Sequence, residues 1–163
     1  MSTADAPARE AAWLADYNPA DGLPALLQAN GGPWQVVQAY WPRTPDRMGK
    51  SLFVMRHSTK NERFANVQKI SKYVFRIVCW WPMVSTTGSA EQSQTDFDAA
   101  LDLVLQRLVG PQLDKTHGGR FLSVAEDPAA IEVTYHDPVS TLASGNFLAA
   151  EITYTADDPN YNA

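Results

Sequence analysis

Apolar residues are most continuous between Tyr73 and Trp81, YVFRIVCWW, where a period of two sorts them onto two faces. Tyr73, Phe75, Ile77, Cys79 and Trp81 fall on one side, and Val74, Val78 and Trp80 on the other, with Arg76 among them. The pattern predicts a central strand buried on both faces, which needs cover from two directions. Downstream, Phe97, Leu101, Val104, Leu105 and Leu108 recur at steps of three and four and predict one amphipathic helix. Thr95, with Asp98 three residues on, is its expected N-cap, and Gly110-Pro111 its stop.

Around this pair the other elements fall into order. Leu23, Leu26 and Leu27 predict a short helix from Asp21 to Asn30, closed by Gly31-Gly32. Alternation predicts strands over Trp34–Trp41, bracketed by prolines, and over Ser51–His57. The polar stretch Ser58–Lys69 reads as a projecting loop or long hairpin, and three further strands are expected at Arg120–Glu126, Ile131–His136 and Asn146–Thr155. Strands separated by short connections make an α+β fold: a mostly antiparallel sheet of about six strands, with one long and one short helix packed on it. Residues 1–20, rich in Ala, Asp and Pro, are expected as a flexible arm, in which Trp13 and Leu14 could tether a short helix to the body or to a neighbour, residues 21–156 as a single domain, and residues 157–163 as a loose tail.

Composition narrows the function classes. The chain has 163 residues and a net charge of −5, so it lacks the clustered Lys and Arg of a nucleic-acid footprint. Its single cysteine, Cys79, excludes an intrachain disulfide framework and a four-thiolate metal site. The start MSTADAPAREAAW has no basic-then-apolar leader, and no run approaches the ~20 apolar residues of a membrane helix. Five tryptophans and six tyrosines are many for this length, and aromatics together with Arg are enriched where proteins meet proteins. Trp34, Trp41 and Trp80 stand out, because two helices are too few to cover both faces of six strands.

Candidate chemistry is sparse. His117-Gly118-Gly119 is similar to an esterase oxyanion turn, but no G-x-S-x-G elbow accompanies it, and two glycines also suit a plain turn. His57, His117 and His136 lack zinc-site spacing, and Glu126-Asp127 and Asp157-Asp158 sit beside prolines as turn residues. No P-loop or dinucleotide fingerprint occurs, so neither a cofactor nor a catalytic residue is assigned. Arg76 interrupts an apolar strand and requires a partner, either Glu132 or Glu151 within the sheet or a group across a subunit boundary.

Residues 72–158 resemble the tail terminator proteins of long-tailed bacteriophages. The resemblance rests on an ordered series: YVFRIVCWWP, the helix beginning TDFDAALDLVLQRLVG, then GGRFLSVAED, IEVTYHDP and GNFLAAEITYTADD. It implies a structural virion subunit, assembled in the host cytoplasm, that forms a hexameric ring, caps the tail tube and ends its polymerisation. Its implied partners are further copies of itself, the tube protein and the head-side connector or stopper, with DNA passing through the lumen. Edge strands and their loops would then make the contacts, with Lys60, Arg63 and Phe64 as leading candidates and Arg76, Trp80 and Trp81 near a subunit boundary. Competing readings are another neck or minor tail protein, a small hydrolase using His117-Gly118-Gly119, or a ligand-binding domain with a Trp-lined pocket.

Overall fold

A computed structural model describes residues 3–44, 48–63, 68–83, 90–109 and 114–161. In chain order the elements are α1 (Ala6–Ala15), β1 (Val36–Ala39), β2 (Ser51–Arg63), β3 (Gln68–Pro82), α2 (Ala90–Val109), β4 (Ser123–Val124), β5 (Glu132–Tyr135), α3 (Pro138–Gly145) and β6 (Phe147–Tyr161). The fold is α+β, with a six-stranded sheet ordered β1-β2-β3-β6-β4 and β5 also pairing with β6.

The sheet is mixed, which corrects the expectation of a mostly antiparallel one. β1 lies parallel to β2, whereas β2–β3, β3–β6, β6–β4 and β6–β5 are antiparallel. The parallel pair arises because Tyr40, at φ +68°, turns the chain out of β1. The following segment carries Trp41 back over the sheet before Ser51 re-enters beside Val36. Among the described residues of this crossover none is helical, although such a connection usually takes a helix.

The two faces of β3 divide as the alternation predicts. Tyr73, Phe75, Ile77, Cys79 and Trp81 enter the main core, where α1 brings Trp13 and Leu14, and α2 brings Phe97, Leu101, Val104 and Leu108. Val78 and Trp80 join Phe53 and Ala149 in a second cluster on the opposite face. Trp34, suggested as a contact residue, is instead fully buried in the main core, edge-on to Trp81 at 5.2 Å.

Several boundaries differ from expectation for identifiable reasons. α2 begins at Ala90, so Thr95 lies inside it and bonds back to the Glu91 carbonyl at 3.0 Å; the predicted stop residues 110 and 111 lie outside the described residues. The helix expected over Asp21–Asn30 is absent: Gly22 takes a left-handed φ, Pro24 has no N–H to give, and only 3-10 turns form at Pro19–Asp21 and Gln28–Asn30. Leu26 and Gln28 instead bond to Trp34 across a tight return in which a side chain at Gly32 would meet the Leu26 backbone at 2.3 Å. α3 occupies what was expected to be a loop, capped by Asp137 and opened by Pro138.

Both chain ends depart most from expectation. The segment expected to be a flexible arm contains α1, whose Ala6 and Leu14 are fully buried. The segment expected to be a loose tail continues β6 to Tyr161, and Asp158 is buried within it.

Candidate functional site

The main core has helices over it, but the second face of the sheet does not: no helix residue belongs to its apolar cluster among the described residues. At one end of this face Trp80 stacks on Phe147 at 4.1 Å, and Trp41 stands edge-on to Phe53 at 5.1 Å and to Trp80 at 5.6 Å. Trp41 remains 46% exposed, so the lid over this cluster is itself half in water. A hollow of about 310 Å³ opens between Trp41, Met55, Val78, Trp80 and Phe147, floored by Ala149. The Trp80 indole N–H is buried and has no hydrogen-bond partner among the described residues.

Arg76 borders the hollow. Its guanidinium pairs with Glu151, one of the two partners expected within the sheet, and His136 Nε2 lies 3.5 Å from the same carboxylate. Burial acts to raise the Glu151 pKa, but the Arg76 hydrogen bond and charge, with His136 beside them, hold it below the usual carboxylate range. Both partners of the Arg76–Glu151 pair are partly exposed, so it resembles a surface ion pair more than a core one.

Farther along the same face the register places Ser58 beside Val74 and Thr155, then Lys60 beside Lys72 and Asp157. Lys60 is exposed, and Lys72 pairs with Glu62 at 3.4 Å. Within the stretch Ser58–Lys69, residues 58–63 extend β2 and residues 68–69 extend β3, the two paired antiparallel as far as Arg63 and Lys69. Phe64 lies outside the described residues.

The face thus brings Lys60, Arg76 and Trp80 onto one surface but leaves out Trp81. That residue, expected near a subunit boundary, points into the main core between Trp34 and Phe97. The reason is the period of two: neighbours on a strand cannot share a face.

His117-Gly118-Gly119 is used up by its own turn. All three residues have positive φ; the Gly118 N–H donates to Asp114 Oδ2 at 3.0 Å and the Gly119 N–H to Thr116 Oγ1 at 2.9 Å, so neither is free for an oxyanion. The imidazole is fully buried, stacked on Trp13 at 3.4 Å and bonded through Nδ1 to the Glu10 carboxylate at 3.0 Å. Tyr154 donates to the same carboxylate at 3.0 Å. Cys79 is buried as well, and burial pushes its thiol far up, away from nucleophilic use.

A second polar station went unread in the sequence. Arg9 bonds both oxygens of Asp158, at 3.2 and 2.6 Å, and Tyr73 donates to Oδ2 at 2.9 Å. Together these bonds fasten α1 to the body from two sides. Among the described residues no group of three His, Cys, Asp or Glu is placed to hold a metal ion, and no helix is long and apolar enough to cross a membrane. Neither a protein-family model nor a curated protein sequence matches the chain.

Proposed function

We propose that the protein is a non-enzymatic assembly subunit and, within that class, a tail terminator of a long-tailed bacteriophage. In this reading it forms a ring of six that caps the tail tube, ends its polymerisation and joins it to the head-side connector or stopper, while DNA passes through the lumen. The observation that carries the reading is the unequal cover of the sheet: helices complete one face, and the other ends in a half-exposed Trp41, a buried unpaired Trp80 N–H and an open hollow. The half-exposed Trp41 ring and the open hollow, which a partner surface would cover, support the class; the resemblance over residues 72–158 supports the particular member. Lys60, Arg76 and Trp80 are the proposed contact residues on this face.

Mass photometry and negative-stain imaging of the purified chain, alone and with tail tubes, test the proposal. Sixfold rings and tubes capped at one end are expected. A chain that stays monomeric at high concentration and leaves tubes growing overturns it.

A further inference from the structure

The sheet has two edges that no other strand occupies among the described residues. β1 pairs with β2 only along Ser51–Val54, so β2 from Met55 onward has no neighbour on its outer side. At the other edge β5 pairs only with β6. β4 is not an equivalent edge, because the Val124 N–H is taken by the Lys115 carbonyl at 2.8 Å. Free edges of this kind are templates for another strand.

The two edges differ in charge. β2 carries Arg56, His57 and Lys60 before Glu62. β5 carries the exposed Glu132 and a Tyr135 that is 55% exposed. The Tyr135 hydroxyl is pushed up by burial and then by the charges of Asp98 and Asp102, which places an acidic flank of α2 at this edge.

We propose that copies of this chain join head to tail by sheet extension, the free edge of β2 pairing antiparallel with β5 of the next copy so that Lys60 faces Glu132 of the partner subunit. This rests on the ring reading above and names its subunit contact.

Direction, face and charge each select this pairing. Through β3 and β6, β2 and β5 run in opposite directions within one subunit, so rotation about an axis along the strands sets them antiparallel. Lys60 and Glu132 both belong to the helix-free face, by register through Lys72 and Asp157 in one case and Thr153 and Arg76 in the other. A slip of one residue would reverse the faces. A slip of two would set Glu62 against Glu132, two like charges, whereas the chosen register also sets Ser58 against Thr134, a favourable cross-strand pair.

The geometry closes. Glu132 lies level with Met55 and Arg76 within one subunit, and Lys60 lies level with Lys72 because of the bulge between Arg56 and Ser58, so facing Lys60 requires a slide of about four residues, ~13 Å. Over four strand spacings of ~4.8 Å that is a tilt of about 35°, at the lower end of the range at which tilted sheets close on themselves.

Paired cysteines test the contact in the full chain, where the buried Cys79 stays silent. One variant carries Lys60→Cys with Glu132→Cys, a second Thr59→Cys with Val133→Cys. Adjacent antiparallel pairs alternate in type, and one of the two must be the close, non-hydrogen-bonded kind that disulfides fit. On oxidation at least one double variant should give a reducible ladder of covalent multimers, while each single variant runs as a monomer. Lys60→Glu should weaken assembly at least about tenfold and Lys60→Glu with Glu132→Lys should restore it. Rings without a ladder from either double variant overturn the contact and leave the ring; dimers from Lys60→Cys alone overturn it in favour of a symmetric β2–β2 pairing. A ladder from a protein that fails to cap tubes keeps the contact and removes the terminator reading, and a monomer with no ladder removes both.

Discussion

Two glutamate–histidine pairs stand on opposite faces of one sheet, and burial gives them different uses. Glu10 and His117 meet in the main core with no exposure, closed over by Trp13 and shared with Tyr154. Glu151 and His136 meet on the helix-free face, half in water and held by Arg76. The same side-chain chemistry is a fastener where water is excluded, since losing one member strands the others, and an adjustable surface where water can replace a partner. Assembly contacts are therefore expected on the second face, and damage to the fold on the first.

The sharpest way to break this contrast is Glu10→Ala, which leaves the His117 and Tyr154 groups buried without their acceptor. A loss of about 3–5 kcal/mol is expected from urea unfolding; a loss under ~1 kcal/mol would mean that the core pair is idle. Asp158→Asn comes next, because it removes the charge that Arg9 grips and Tyr73 donates to. It should cost about 2 kcal/mol and expose the α1 amides to faster hydrogen exchange, and unchanged exchange in α1 would remove the fastening role.

Tyr73→Phe is smaller, about 1 kcal/mol near neutral pH, and carries a pH signature. Burial, then the Asp158 hydrogen bond and charge, push the Tyr73 hydroxyl up to about 12. A raised folded-state value contributes stability below the unfolded value of about 10 and loses it as pH rises through the folded one. Wild-type stability should accordingly fall more steeply than that of Tyr73→Phe between pH ~10 and ~12; parallel alkaline limbs would count against the Tyr73–Asp158 bond.

Arg76→Ala on the open face should have the least effect on the fold, under ~1 kcal/mol. Glu151 is held below its ordinary value, so the pair's contribution is present above about pH 4 and lost as pH falls through the lower folded-state value. Wild type and Arg76→Ala should therefore converge in stability in acid, while ring yield at neutral pH separates them. A larger stability loss for Arg76→Ala than for Glu10→Ala would invert the comparison.

Local pattern made the open face legible and the fastened one mostly not. The period of two in YVFRIVCWW sorted Trp80 from Cys79 and placed Arg76 beside an acid of the sheet, because strand geometry alone decides those facts. Trp81 was misplaced by grouping it with its neighbour in sequence. The polar anchors of α1 left no local trace: ADAPAREAAW and ADDPN are what flexible ends look like, and Arg9 is drawn inward by groups more than a hundred residues away, the Asp158 carboxylate, the Arg120 carbonyl and the Phe121 ring. Asp137-Pro138 was a readable start for α3, since a capping side chain followed by proline is a helix-opening signal. The parallel β1–β2 pair rests on the turn at Tyr40, a residue type with no preference for positive φ.

The clasp between Arg9 and Asp158 also sets a clock. At ~5–20 residues per second of synthesis, about 7–30 s pass between the appearance of Arg9 and of the residue 149 positions on that holds it. Throughout that interval α1 has neither Asp158 nor Tyr154 to bind, and the strand β6 that joins β3 to β5 has not been made. The nascent chain thus carries α1 well before the residues that fasten it, so the docking of α1 is completed only as β6 joins the sheet.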